Sequence, residues 1–409
     1  MAENLMRGIK PQHTGGFLVT FEDDVSKQEQ MDILGASGSD NVESVSVNDS
    51  ASKLDKFSQT ERTAVAFSDI NIGITDRNFL DEEDLALGVM SRKGREAYKS
   101  LGGNDRIKRV RPEYFMHTCW SFADQNTRTW GIDAVRAAES SYTGDGIKVA
   151  VLDTGFDIFH PDFQGRTIFS SSFVPGESAQ DGNGHGTHCI GTAAGNISTQ
   201  NVQTTRYGVA KNADIYVGKV LSNNGSGRES WIISGMMWAI QSGCEVISMS
   251  LGRNVSEGES YDPEYERIGK FALENDCLII AAAGNASRRS GFVAPVGAPA
   301  NSPSIMAVAA VDSKLKVARF SSGGINSDGQ VDIAAPGVNV FSSYPAPRFY
   351  NELNGTSMAC PHVAGLAALW AESNPSLRGI RLWNALTQSA REITGRSRDI
   401  GVGLVQVPH

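Results

Sequence analysis

From about residue 120 to the end, apolar runs of strand length alternate with segments of helical spacing. The apolar runs predict strands at residues 147–152, 215–221, 246–251, 277–283, 305–311 and 331–334. Apolar residues three to four positions apart predict helices at residues 230–242, 263–275 and 358–373. Strands buried on both faces and joined by helices imply βαβ crossovers. We therefore predict an α/β fold for residues 120–409, with a mostly parallel central sheet and helices on both faces.

The first 119 residues follow a different pattern. Two short β-like runs, at residues 17–21 and 63–67, flank residues 35–55, which are rich in Ser, Asn, Asp and Gly and predict a loop. The chain then becomes basic and extended around residues 106–111. This pattern predicts a small α+β domain at residues 1–119, ahead of the larger domain at residues 120–409.

Charge and composition narrow the classes of function. Lys and Arg total 37 against 46 for Asp and Glu, a formal net charge of −9, so we expect no nucleic acid partner. No stretch reaches the roughly 18 to 20 apolar residues of a membrane-spanning helix, so no membrane partner is expected either. The first residues lack the apolar run of a signal peptide, which leaves a cytoplasmic protein or a secreted one whose signal is absent. The five cysteines have no disulfide-framework spacing.

An aspartate follows directly after the predicted strand at residues 147–152. Asp153 precedes Thr154 and Gly155 and would lie at the carboxyl end of a parallel strand, where active sites of such sheets form. There it could accept a hydrogen bond from an imidazole and fix its tautomer. Many α/β proteins end strands with Asp, so this motif alone is weak, and Asp157 competes for the same role.

A second motif, at residues 181–188, carries two histidines between glycines. Glycines on both sides of His185 allow backbone and substrate to approach it closely, and residues 189–194 predict a buried helix. His185 and His188, three positions apart on a helix, could instead ligate a metal, although no Glu or Cys cluster completes such a site. The residues alone do not decide which histidine would act as a base.

A third motif, at residues 354–365, opens a long apolar helix. Ser357 would lie at its amino end, where free N–H groups and the helix dipole favour developing negative charge and where Pro361 is tolerated in the first turn. A serine at a helix start is usually only an N-cap. A catalytic role requires a base close to it in space.

Taken together and in this order, the three motifs resemble the subtilase family of serine proteases. They are Asp-Thr-Gly at 153–155, His-Gly-Thr-His at 185–188 and Gly-Thr-Ser-Met-Ala at 355–359. The segment around His185 is most similar to the proteinase K branch. The resemblance extends from about residue 130 to the end. It implies a subtilisin-like fold and a serine endopeptidase that hydrolyses peptide bonds through an acyl-enzyme.

The resemblance also implies a role for individual residues. Asp153 would orient the imidazole of His185, His185 would take and return the proton, and Ser357 would attack the scissile carbonyl. His188 and His362 would be structural.

Residues 281–285 resemble the oxyanion-hole segment of the family, so Asn285 and the Ser357 N–H would bind the oxyanion. Substrate would add as an extended strand against enzyme backbone. Gly297 matches the floor of the S1 pocket, Ala286 occupies a position often acidic in relatives, and the Ala298–Pro299 bond is expected to be cis. An uncharged pocket of this kind favours large apolar P1 residues. The full set of matching substrate-binding residues is Gly225, Ser226, Gly227, Ser250, Leu251, Gly252, Ala283, Gly284 and Gly297.

A structural calcium ion is a further implication of the resemblance, whereas no organic cofactor is expected. Asp162 matches a carboxylate that ligates calcium in many relatives. Calcium requires about 6–8 oxygen ligands, and the loop that usually supplies the others, residues 196–207, is longer here and departs from the common pattern. A surface Asp after Pro161 is the alternative interpretation.

The N-terminal domain resembles the family propeptide by its position. It would be an intramolecular inhibitor and folding chaperone whose extended tail, residues 110–117, lies in the substrate cleft. We expect the junction between Met116 and Gln125, with the propeptide at residues 1–119, and autoprocessing from a zymogen. The expected partners are therefore polypeptide substrates and the chain's own propeptide.

Two other classes of function compete with this hypothesis. A non-catalytic binding protein would keep the propeptide bound and use the protease fold as a docking surface. An esterase with a nucleophile elbow would require Gly-x-Ser-x-Gly around Ser357 and the chain order Ser, Asp, His. Neither feature appears around Ser357, so we discount the esterase.

Overall fold

The computed structural model describes residues 13–37, 41–45, 63–75, 92–118, 129–200 and 206–408. Its N-terminal unit is a twisted sheet with two helices on one face. The elements of this unit in chain order are β1 (His13–Phe21), α1 (Lys27–Ala36), β2 (Asn41–Val45), β3 (Thr63–Phe67), β4 (Ile72–Ile74), α2 (Arg92–Gly102) and β5 (Ile107–Thr118).

Alternation along β1 explains how this unit folds and where it packs. Phe17, Val19 and Phe21 point to the face that α1 and α2 cover, where they form a small separate core. Leu18 points to the opposite face and joins the core of the larger unit. The strand order is β5–β1–β4–β3–β2, and the α+β character predicted from the sequence agrees with it.

One part of the predicted loop at residues 35–55 is a strand instead. β2 pairs in parallel with β3 at the edge of the N-terminal sheet, with Val42 opposite Ala64. Its five residues alternate polar and apolar side chains too briefly for a sequence signal. The strand is recognised by its pairing with β3. Residues 38–40 and 46–55 lie outside the described residues.

The larger unit contains the remaining strands and helices. The strands are β6 (Lys148–Asp153), β7 (Ile168–Ser172), β8 (Asp214–Lys219), β9 (Ser226–Arg228), β10 (Val246–Met249), β11 (Leu251–Gly252), β12 (Leu278–Ala282), β13 (Met306–Val311), β14 (Ile333–Pro336), β15 (Val340–Ser343) and β16 (Tyr350–Leu353). The helices are α3 (Trp130–Ala134), α4 (His185–Ala194), α5 (Glu229–Gln241), α6 (Pro263–Glu274), α7 (Thr356–Ser373), α8 (Gly379–Gln388) and α9 (Ser397–Ile400).

Seven parallel strands form the central sheet in the order β14–β13–β12–β10–β6–β8–β7. After β6 the chain builds β7 and β8 on one side and then crosses to build β10 on the other. The carboxyl ends of β6 and β10 therefore flank the point at which the order reverses, where parallel sheets place their sites. The prediction of a mostly parallel sheet is confirmed. The sequence did not predict β7.

Helices cover both faces of this sheet, as predicted. On one face α5 and α6 bury Trp231, Ile232 and Tyr265 in a core that also includes side chains of the N-terminal sheet. On the other face α4 and α7 bury Ile190 and Met358 in a second core. Both cores are almost entirely aliphatic and aromatic, so the sheet acts as a rigid platform for its strand ends.

Two further features concern the described residues. No helix among them is both long enough and apolar enough to cross a membrane. Their four cysteines are free thiols, all buried, and Cys119 lies outside the described residues; the four are Cys189, Cys244, Cys277 and Cys360.

Candidate active site

Asp153 and His185 form a buried hydrogen-bonded pair at the carboxyl end of β6. Asp153 is the last residue of that strand and His185 is the first residue of α4. His185 Nδ1 lies 2.8 Å from Asp153 Oδ1 and 3.0 Å from Oδ2. The exposed fractions of the two side chains are 6% and 1%, so this pair is shielded from water. A carboxylate bonded to Nδ1 leaves Nε2 available to act as a base.

The backbone before His185 requires glycine. Gly184, the N-cap of α4, has φ of 105°. A Cβ at this position would also collide with the ring of Tyr344. Gly184 therefore allows the chain to turn sharply into the helix and to place the imidazole against the end of β6.

Asp157, the competing aspartate, has a different role in the structure. Its Oδ1 accepts from the side-chain amide of Gln180 at 3.0 Å, and its Oδ2 accepts from the backbone N–H of Ala346 at 3.1 Å. It therefore anchors neighbouring loops, and Asp153 is the aspartate that contacts the imidazole.

His188 and His362 are buried and face backbone carbonyls. His188 Nε2 lies 3.0 Å from Val340 O, and His362 Nδ1 lies 2.8 Å from Met358 O. Burial is the main cause that lowers the pKa of His188 to about 3 and that of His362 to about 4. Both imidazoles are therefore neutral near pH 7. His188 Nε2 contacts backbone carbonyls and does not share a ligand site with His185. This argues against the alternative that the two histidines bind a metal ion.

The surroundings of His185 have opposing effects on its pKa. Burial lowers the pKa, while the charge of Asp153, the hydrogen bond to it and the charge of Asp181 raise it, and the net result is a pKa above 6.5. Nε2 is buried and has no hydrogen-bond partner among the residues that the structure describes. This nitrogen can accept a proton once a donor reaches it.

Ser357 is fully buried in the first turn of α7, next to the pair. Its Oγ donates to Ser250 O at 3.4 Å. Cys189 connects the two halves of the site, because its Sγ lies 3.8 Å from His185 Nδ1 and 3.5 Å from Ser357 O. Ser357 therefore lies near the Asp153–His185 pair, with its backbone carbonyl against the same cysteine that contacts the imidazole.

The prediction that Pro361 lies in the first turn of α7 is wrong. It is the sixth residue of α7 and lies beyond the first turn. Proline has no N–H, so it cannot donate to the carbonyl four residues earlier, which belongs to Ser357. Ser250 Oγ donates to that carbonyl at 2.7 Å instead, which couples the serine backbone to the end of β10. The sequence analysis named Ser250 only as a backbone contact for substrate.

Asn285 lies beside Ser357, just after β12. Its Oδ1 accepts from the Thr356 N–H and from the Thr356 hydroxyl, both at 2.9 Å. These two bonds orient the amide so that Nδ2 faces the other way. Nδ2 and the backbone N of Ser357 lie 3.3 and 3.4 Å from the point where a Cβ on Gly355 would stand. The amide nitrogen of Asn285 and the backbone nitrogen of Ser357 therefore both lie close to the same small volume beside Gly355.

Asp181 organises the loop before His185, and the sequence analysis missed this function. Its Oδ1 accepts from Thr154 Oγ1 at 2.9 Å and from Gly184 N at 2.8 Å. Its Oδ2 accepts from Thr187 N at 2.9 Å and from Thr187 Oγ1 at 2.7 Å. This buried carboxylate joins the turn after Asp153 to the start of α4. The only sequence signal was a carboxylate four residues before His185.

The described residues contain one group of side chains with metal-like spacing, and it lies in this same site. Ligand atoms of Asp153, His185 and Cys189 all lie within 4.8 Å of one another. Burial raises the pKa of Cys189 well above its usual value, so its thiol stays protonated. A protonated thiol is a poor metal ligand, and the Asp and His are already bonded to each other. This group is therefore better explained by the hydrogen-bonded Asp153–His185 pair with Cys189 packed beside it.

Two short strands form the walls of a cleft beside the site. β9 includes Ser226 and Gly227 after Gly225, and β11 is Leu251–Gly252, directly after Ser250. The carboxyl end of β5 lies between them and pairs antiparallel with both. Met116 is opposite Gly227, His117 is opposite Gly252, and Thr118 is opposite Leu251. Ser226, Gly227, Leu251 and Gly252 therefore all pair with β5 of the N-terminal unit, and Gly225 and Ser250 lie next to these strands.

The segment at Gly297, predicted to form the floor of the S1 pocket, packs between the end of β12 and Arg253. Gly297 N donates to Ala283 O at 3.0 Å, which links the loop to the end of β12 beside Gly284. A Cβ on Gly297 would lie 2.5 Å from Arg253 O, so the two segments approach too closely for any side chain there. The Ala298–Pro299 bond is cis, as expected.

The surroundings of Asp162 do not fit the predicted calcium ion. Its Oδ1 accepts from Thr199 Oγ1 at 2.6 Å and from the Tyr350 hydroxyl at 2.8 Å, and its Oδ2 accepts from the Tyr207 hydroxyl at 2.7 Å. Burial, then the charge of Asp162, raises the pKa of Tyr207, so this hydroxyl stays a donor. Calcium needs oxygen lone pairs directed at it, whereas these groups direct hydrogens at the carboxylate.

The chain is similar in sequence to known proteins. A family model described as Subtilase family matches residues 144–403. Subtilisin DY of Bacillus licheniformis is 41% identical over 285 residues, which cover 69% of this chain and 97% of that protein. Subtilisin E of Bacillus subtilis (strain 168) is 40% identical over 283 residues, covering 68% and 70%. An alkaline protease of Alkalihalobacillus alcalophilus is 43% identical over 280 residues, covering 68% of each. The particular likeness to the proteinase K branch stays a prediction.

The hydroxyl contacts of Asp162 lead to a prediction about metal removal. Asp162→Asn should lower the melting temperature, since it weakens hydrogen bonds to a charged acceptor worth about 1.5–3 kcal/mol each. Because hydroxyl groups already donate to both carboxylate oxygens, we expect no calcium ion there, and the decrease should be equal in calcium and in excess EDTA. Differential scanning calorimetry measures it, with Glu257→Gln as a control that removes an exposed carboxylate. A decrease that disappears in EDTA would show that Asp162 holds calcium.

Proposed function

Since this chain belongs to the subtilase family and is a serine endopeptidase, we propose that Asp153, His185 and Ser357 are its catalytic triad and that it is made as a zymogen. The observation that carries the proposal is the buried bond of 2.8 Å between Asp153 and His185, beside the helix turn that holds Ser357. Polypeptides are the substrates. The reaction as proposed uses no organic cofactor.

The proposed mechanism begins with the neutral form of His185. Nε2 accepts the proton of Ser357 Oγ while that oxygen attacks the scissile carbonyl carbon, and a tetrahedral oxyanion forms. The imidazolium is then stabilised by Asp153 and delivers its proton to the leaving amine. Water repeats the sequence on the acyl-enzyme and releases the second product. Asp181 would act as a positioning residue that fixes the loop and adds negative charge near the imidazolium.

Asn285 Nδ2 and the Ser357 N–H would bind the oxyanion. The two bonds from Thr356 to Asn285 Oδ1 support this role because they hold the amide in one orientation before the charge develops. A preorganised donor pays no reorganisation cost at the moment of reaction.

Substrates would bind as a central strand between β9 and β11, in the place where β5 now lies. The S1 pocket would be formed by the segments at Gly252, Ala283 and Gly297, with Ala286 at its edge. These residues carry no charge, and an uncharged pocket favours a large apolar side chain at P1.

The N-terminal unit would be the propeptide. Support comes from the backbone pairing of Thr118 with Leu251, which directs the chain past Ser250 towards Ser357. We propose that autoprocessing cuts between Cys119 and Trp120, giving a propeptide of residues 1–119 and a catalytic domain of residues 120–409. Until it leaves, the propeptide would block the cleft against other substrates. Residues 119–128 lie outside the described residues.

Autoprocessing is the first test of this function. On incubation the purified full chain should convert to a catalytic form whose amino terminus, read by sequencing, is Trp120. Ser357→Ala should remain uncut because it has no nucleophile, while the exposed Ser313→Ala should be processed like the wild type. Cleavage of the Ser357→Ala protein at the same bond and rate, with added protease inhibitors, would exclude Ser357 as the nucleophile.

Selectivity at P1 is the second test. Among matched peptide p-nitroanilides, the processed enzyme should show kcat/KM for Phe or Leu at P1 about 10- to 100-fold above that for Asp or Lys, from burial worth about 1.5–3 kcal/mol. Ala286→Glu should raise the relative rate for Lys. Equal rates for Asp, Lys and Phe in the wild type would contradict an apolar S1 pocket.

A further inference from the structure

Arg111 of β5 is buried in a cluster of three carboxylates on the larger unit. Its Nη1 and Nη2 donate to Glu229 at 2.9 and 3.2 Å, and its Nε donates to Glu264 at 2.9 Å. Nε also lies 3.5 Å from Asp262. The exposed fraction of the Arg111 side chain is 6%, and Glu229 and Glu264 are fully buried. We call Glu229, Asp262 and Glu264 the acidic recess.

The acidic recess is built by the ends of two helices. Glu229 is the first residue of α5, Asp262 is the N-cap of α6, and Glu264 lies in the first turn of α6. Helix amino ends stabilise these negative charges. Within the larger unit Arg253 pairs with Asp262 at 2.8 Å, while Arg111 is contributed by the N-terminal unit. Removal of that unit would therefore take a buried cation away from the recess, which leaves buried charge poorly compensated.

The strand that carries Arg111 is the same strand that fills the substrate cleft. β5 runs without a break from Ile107 to Thr118, and its last residues lie between β9 and β11. Arg111 precedes Thr118 by seven residues, which is roughly 23 Å of extended chain at about 3.3 Å per residue. A polypeptide bound in the cleft in this direction, and extended over the same length, would carry one of its own residues over the recess.

The contacts at Arg111 favour arginine over lysine. Glu229 accepts from two N–H groups of Arg111, and Glu264 accepts from the Nε–H group. This arrangement matches the planar, forked geometry of a guanidinium. A lysine ammonium is a single point that cannot reach both carboxylates with this geometry. Arg109, two residues earlier on β5, has longer contacts of 3.7 and 3.8 Å to Glu264 and Asp262 and is partly exposed.

We propose that the acidic recess of the processed enzyme is an exosite for an arginine of extended polypeptide substrates, seven residues before the position that Thr118 now occupies. This inference rests on the proposed function, because the recess opens only when the N-terminal unit is released. It adds a second preference to the apolar P1 residue: the enzyme would favour extended polypeptides that also carry an arginine at this upstream position.

The test compares quenched fluorescent peptides with the sequence of residues 107–124 as substrates of the processed enzyme. The peptide with Arg111 should have kcat/KM about tenfold or more above that of the Arg111→Ala peptide, as expected for a buried charge pair. The Arg111→Lys peptide should recover little of the difference. The Arg109→Ala peptide is the matched control and should change kcat/KM by less than about threefold.

A variant of the enzyme completes the experiment. Glu229→Gln should remove most of the preference for the Arg111 peptide over the Arg111→Ala peptide. The comparison is normalised to a short peptide of residues 115–124, which does not reach the recess and reports the folded fraction. If the wild-type chain forms no processed enzyme, the proposed zymogen function fails. If processed enzyme cuts the short peptide but treats the Arg111 and Arg111→Ala peptides alike, the exosite is excluded and the proposed function stands.

Discussion

The hydrogen bond between the Asp153 carboxylate and the His185 imidazole is the interaction on which the rest of the site depends. It joins the end of a central strand to the start of a helix, and both partners are removed from water. In that environment the carboxylate outweighs the cost of burial and raises the pKa of the imidazole. Asp181 and Gly184 hold the loop between the two elements. The sheet, this loop and the buried carboxylate together position His185 so that its Nε2 can accept a proton.

The N-terminal unit and the larger unit share more than a cleft. One face of the N-terminal sheet joins the core of the larger unit, β5 extends its backbone pairing, and Arg111 inserts a charge into it. Apolar burial provides affinity without direction, whereas the strand register and the guanidinium contacts fix how the segment lies. A zymogen built in this way, as we propose, would keep its cleft filled while the fold forms and would lose the segment after one peptide bond is cut.

The sequence predicted those features that depend on local pattern. Apolar runs located six of the seven central strands, and the strand-ending position of Asp153 followed from one of them. Features that depend on contacts between distant parts of the chain could not be predicted from the sequence. The residues alone left Asp153 and Asp157 open, and the family resemblance chose Asp153. The role of Asp181 needed coordinates, because its partners come from three segments. Pro361 was placed too early because the exact start of α7 cannot be read from composition. Asp162 accepts a hydrogen bond from Tyr350, which is far away in the sequence, so this contact could not be predicted. The calcium prediction for Asp162 therefore depended on family resemblance alone.

Covalent labelling of the processed enzyme by a fluorophosphonate, followed over pH and mapped by mass spectrometry, tests the central claim most directly. A serine activated by His185 reacts only while the imidazole is neutral. The account predicts a single adduct on Ser357 and a labelling rate that falls on acidification with a midpoint above pH 6.5, the ordinary pKa of histidine. An adduct on another residue, or a rate that does not change with pH across this range, would contradict it.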